Sequence, residues 1–165
     1  MAVSKRYLEY TDDIYFNRLY IDWNKDELLD ELKSEWGWLS EYWQKGKLDA
    51  IDCLLNLACV SYELLTRFTV YEWDEVIAAA KDLHIRKNAG YSPSETDAWT
   101  NFRVCTQFGI PATDGCLVRL CDKYSRFFSV YANPENDKVG ESAIDTLKDL
   151  AAYSVILIVL LEEKG

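Results

Sequence analysis

A single histidine, three prolines and seven glycines in 165 residues each remove a class of answer. With His84 alone, and no C-x-x-C pair among the cysteines, a structural zinc site lacks its usual ligands. His84 also has no serine or acid patterned beside it, so it reads as a structural residue. Long stretches free of proline and glycine argue against a turn-rich β architecture and for helices. There is no phosphate-cradling glycine loop, no dinucleotide fingerprint and no nucleophile elbow, which leaves serine and cysteine nucleophilic mechanisms without support. The five cysteines (Cys53, Cys59, Cys105, Cys116, Cys121) are odd in number and sit mostly among apolar neighbours, as free buried thiols of a reducing compartment do. The apolar run from Leu150 to Leu161 is too short to span a bilayer. The first twenty residues carry no apolar core of a signal peptide, so a soluble, cytoplasmic protein without a membrane partner is expected.

What is present fits a folded domain. Hydrophobic residues make up 49% of the chain and aromatics 14%, enough for a proper core. The formal net charge of -10 argues against non-specific binding to nucleic acid, though a local basic cluster can still hold a small phosphate ligand.

The expected fold class is all-α, a single domain over residues 1–165 built as a bundle of about six helices. Residues 1–22 are tyrosine-rich and ambiguous, with a short helix around Asp12–Tyr20. A clear helix runs from Asp26 to about Gln44 with the apolar period Leu28, Leu29, Leu32, Trp36, Leu39 and Trp43. Gly46 breaks it as a C-cap, and a second helix from Leu48 to about Phe68 closes an antiparallel, aromatic-rich hairpin within residues 1–70. Residues 71–165 form the remaining core. Helices are expected at Trp73–Lys87, Trp99–Phe108, from a cap at Asp114 to Tyr131, and from Val139 to Glu162, with a loop at Asn88–Ala98.

Two charged patterns stand out in the second half. Glu141, Asp145 and Asp149 recur every four residues and stack along one helix face, which turns apolar one turn later. Acids there complement the helix dipole, and that alone can explain them; acids entering a buried helix otherwise call for a cation. On the helix before, Leu117, Leu120, Tyr124, Phe127 and Phe128 line one side while Arg119, Asp122, Lys123 and Arg126 line the other. That basic face is either solvated or set against the acidic stripe, with a phosphate held between arginine and metal. Glu27, Glu31 and Glu35, followed by Asp49 and Asp52, give a weaker paired-acid pattern common on solvated helices.

Lys87, Asn88 and Tyr91, followed by Asp97, Trp99, Asn101, Phe102 and Arg103, resemble the KN-x-D-Y … D-x-F-x-NF opening of the nucleotide modification associated domain family, found largely in phages. Gly115 to Arg119 with Asp122, Lys123 and Arg126, then Glu141 to Tyr153, continue the likeness over roughly residues 80–162. The resemblance implies an all-helical fold, a nucleotide context, and a final helix similar to the metal-binding helices of MazG-like all-α NTP pyrophosphatases. Gly90 stands where that pattern has an acid. If the acid is a metal ligand or base in the family, this chain binds nucleotide without turning it over.

The leading expectation is a phage-type nucleotide-binding protein of the host cytoplasm, using Mg²⁺ on Glu141, Asp145 and Asp149. Lys87, Lys123, Arg126 and Arg119 would take phosphate. Asn88, Tyr91, Asn101 and Phe102, with Trp99 beside them, would take base or sugar. Catalytic residues are not identified; turnover, if present, would be metal-assisted attack of water on a phosphoanhydride. Two alternatives stay open: a non-catalytic binder that sequesters a nucleotide-derived immune signal (an anti-defence role), and a helical protein–protein adaptor. A homodimer is a further expectation, with the N-terminal hairpin as its interface.

Overall fold

The computed structural model of the chain describes residues 4–91, 97–138 and 142–163, without the side chains of 88–91. Seven α-helices follow one another: α1 (Lys5–Phe16), α2 (Lys25–Lys45), α3 (Ile51–Phe68), α4 (Trp73–Tyr91), α5 (Thr100–Arg103), α6 (Ala112–Ala132) and α7 (Ala143–Glu162). Short 3₁₀ turns join α2 to α3, α5 to α6 and α6 to α7, and no strand occurs among the described residues.

The first helix lies earlier than the sequence indicates. The Ser4 hydroxyl accepts the Tyr7 N–H and starts α1, and the chain leaves the helix at Asn17. Tyr7, Tyr10, Thr11 and Ile14 then fall on one buried face, a helical period that tyrosine's mixed polarity concealed. Arg6 clasps Glu162 with both nitrogens (2.9 and 3.0 Å), and Tyr10 donates to the same carboxylate, fixing α1 to the end of α7.

The hairpin of α2 and α3 forms as expected. Asn24 and Glu27 make a reciprocal capping box at the start of α2. Gly46 ends it in extended backbone rather than in the left-handed cap. Helix α6 begins at Ala112 behind Pro111, so Asp114 does not cap it; that carboxylate pairs with Lys47 instead. Gly109 supplies the one left-handed turn among the described residues, just before α6. A Cβ on Gly115 would sit 2.8 Å from the Cys105 sulfur, so the missing side chain lets the α5–α6 connection lie against α6.

At the centre, α7 packs chiefly against α3 and α6. Its segment Ser154–Leu161 is buried all round, and eleven residues of α3 are buried beside it. Polar groups in this core are answered locally: Thr11, Ser61, Thr146 and Ser154 each donate to the carbonyl four residues back. Glu63, fully buried on α3, receives both Arg18 nitrogens and sits 3.5 Å from Arg67. Arg67 in turn holds the Ile21 and Trp23 carbonyls, tying the α1–α2 loop to α3. No described helix is long and apolar enough to cross a membrane.

Candidate functional site

Helices α4, α6 and α7 converge on a cavity of about 490 Å³, with α1, α3 and α5 behind them. Leu65, Val76, Leu83, Ala152 and Ile156 form apolar walls, and Tyr7, Tyr62, Tyr71, Phe102 and Tyr153 add rings. Five basic side chains, Arg86, Lys87, Arg119, Lys123 and Lys148, line the same space against one carboxylate, Asp149. In a chain of net charge -10, this is a local reversal of sign.

Asp149 is the hub. It projects from the second turn of α7, one side-chain oxygen 2.6 Å from Lys87 of α4 and the other 3.0 Å from Lys123 of α6. The basic face of α6 does therefore meet the acidic stripe of α7. Arg119, one turn earlier on α6, lays its guanidinium over the Phe102 ring at 4.8 Å and makes no ion pair among the described residues. Phe102 packs edge-on against Tyr153, and burial pushes the Tyr153 phenol above its ordinary pKa, aided by the Asp149 charge.

Other expected site residues go elsewhere. Arg126 points away from the cavity and binds Asp137 at 2.9 Å. Trp99 is only 2% exposed, packed between His84 and Phe102 as core, so it offers no face to a base. Asp145 is exposed; its backbone N–H and its carboxylate both meet Ser142, which caps α7, and Lys148 lies 3.6 Å away. The helix starts at Ala143 because Ser142 takes the cap. Glu141 and the side chains of Asn88 and Tyr91 lie outside the described residues, and Gly90 is described by its backbone alone.

Both Asp149 oxygens are taken by ammonium groups, and among the described residues no three His, Cys, Asp or Glu side chains come together. The weaker acid pattern of the first half is likewise spoken for. Glu27 serves the capping box, Tyr20 donates to Glu31, Asn56 donates to Glu35, and Asp49 and Asp52 are exposed.

Three buried residues were invisible to the sequence reading as site residues. Tyr7 stacks on His84 at 3.9 Å with the rings 17° apart, and Tyr62 lies beside Tyr7. The two phenols perturb each other, yet neither hydroxyl has a hydrogen bond of good geometry among the described residues. Burial lowers the His84 pKa to about 4, so the ring is neutral near pH 7, and it pushes the Tyr7 phenol up to about 12. The side-chain oxygen of Asn101 and Nε2 of His84 also lack partners among the described residues. The signal that could have flagged Tyr7 and His84 is their place on the buried faces of α1 and α4; their convergence is long-range. No protein-family model, curated protein or solved structure matches this chain.

Proposed function

We propose that this chain binds a nucleotide and holds it unchanged, its phosphates on Lys87, Lys123, Arg119 and Lys148 and the remainder inside the cavity. The observation that carries the reading is the basic mouth on an apolar, aromatic cavity in an acidic protein. Arg119 supplies planar donors with no ion pair among the described residues to compete for them, and the lysines supply point charges.

Sequestration is favoured over hydrolysis because, among the described residues, no group at the mouth is placed to act as a strong base. Asp149 is saturated by two ammonium groups, and His84 is buried against Tyr7 with a pKa lowered to about 4, a weak base. The acid missing at Gly90, relative to the family this half of the chain resembles, points the same way.

The test is isothermal titration of nucleoside mono-, di- and triphosphates, with and without Mg²⁺, followed by recovery of the ligand after denaturation. Binding that falls about 10–100-fold in Lys123→Ala, the loss of one charge-assisted hydrogen bond, supports the reading. Recovered products in place of intact ligand would overturn sequestration and return metal-assisted hydrolysis. Absence of binding to the whole panel would leave a helical adaptor, whose homodimer sedimentation equilibrium would reveal.

A further inference from the structure

We infer that the closed end of this cavity recognises the edge of an uncharged, flat heterocycle, so that the ligand is a nucleoside phosphate bound base-first with its phosphates left at the basic mouth. This rests on the proposed reading of the mouth and adds the class of ligand and its direction.

Buried polar groups in this molecule fall into two sets. Buried hydroxyls in the core, those of Thr11, Ser61, Thr146 and Ser154, all find a carbonyl one turn back. The buried acid Glu63 has two arginines. Around the cavity, however, His84 Nε2 and the Asn101 side-chain oxygen have no partner among the described residues, and the Tyr7 and Tyr62 hydroxyls meet only each other there, without good hydrogen-bond geometry. Tyr7, Tyr62 and His84 are exposed by only 0%, 1% and 6%. Buried polar atoms are normally paired, and a group left without a partner marks a place where function overrides stability.

The chemistry of the four atoms selects what they can bind. None is charged: burial keeps His84 neutral and both tyrosines protonated near pH 7. A phosphate or carboxylate would therefore gain no cation from these four groups and would meet the Asn101 oxygen directly. Asn101 offers only an acceptor here, the hydroxyls offer both, and the imidazole nitrogen offers one or the other. That mixture complements the alternating donors and acceptors along a nucleobase edge. Leu65, Val76, Leu83 and Ile156 suit a flat apolar face better than a sugar, whose hydroxyls would need partners all round. The four atoms carry almost no accessible surface, so a base engages them only as the walls adjust around it.

The test titrates AMP, GMP, CMP, UMP and ribose 5-phosphate into the full chain, its Tyr62→Phe variant and its Asn101→Ala variant. At least one nucleotide should bind about tenfold or more tighter than ribose 5-phosphate, and each variant should erase most of that margin while leaving ribose 5-phosphate unchanged. Tyr62→Phe removes a hydroxyl that meets the Tyr7 hydroxyl at poor geometry, so its Tm should shift by less than about 4 °C; a larger fall would mean the hydroxyl serves the fold, and would overturn the assignment. Equal binding of nucleotides and ribose 5-phosphate, unaffected by either variant, would overturn the base site while sparing the basic mouth. Failure of every probe to bind would overturn both.

Discussion

Replacing Asp149 by asparagine separates two accounts of this cavity by the sign of the effect. Asp149 sits between Lys87 and Lys123 with a side chain 15% exposed, and its charge offsets part of the basic mouth. A phosphate bound to the same two lysines lies about 6 Å from that carboxylate. At an effective dielectric of about 20–80, the repulsion at that distance is roughly 0.7–3 kcal/mol. Salt reduces it, because the lysines are partly solvated. Asparagine keeps the shape and removes the charge, so Asp149→Asn should tighten a nucleoside triphosphate by about 3–30-fold in isothermal titration, most at low salt. If Asp149 were instead a ligand of Mg²⁺, the same substitution would weaken binding and abolish any dependence on the metal. Weaker binding in Asp149→Asn would refute the counter-ion reading.

Glu63→Ala leaves Arg18 and Arg67 facing a buried site without their carboxylate and should destabilise the fold by about 3–5 kcal/mol in urea denaturation. An effect below about 1 kcal/mol would show that the cluster is not buried as described. His84 binds its proton in the unfolded chain near pH 6.5 but only near pH 4 in the folded one. The unfolded state therefore gains protons first on acidification, and stability is lost as pH falls through that window, by about 2–3 kcal/mol. His84→Phe should flatten the urea midpoint between pH 7 and pH 4; an unchanged slope contradicts the burial argument. Among the thiols Cys121 is exposed while Cys53, Cys59 and Cys116 are buried, so an aromatic disulfide reagent should label Cys121 first. The buried three should react only at the rate of unfolding.

The helices were legible wherever apolar residues kept a 3.6 period undisturbed, as in Leu28–Leu39 of α2 and in the apolar length of α7. The first helix was not, because Tyr7 and Tyr10 count as neither clearly apolar nor clearly polar. At the site, the meeting of Lys123 with Asp149 followed from two charged faces that needed each other. Arg126, only three residues on from Lys123, extends one turn further along α6 and is captured by Asp137 beyond the helix end. Asp145 lies exposed beside Ser142, whose cap decides where α7 begins. The closed end of the cavity was beyond reach, since Tyr7, Tyr62 and His84 come from three helices and meet only once those helices pack.

The most direct measurement is a crystal structure of the protein soaked with a bromine-labelled nucleoside triphosphate. The account expects phosphorus within about 4 Å of the Lys87 or Lys123 ammonium or the Arg119 guanidinium, and the halogenated base inside, toward His84 and Asn101. Density for the nucleotide on the outer face of α7 at Asp145, or anywhere outside this cavity, would contradict it.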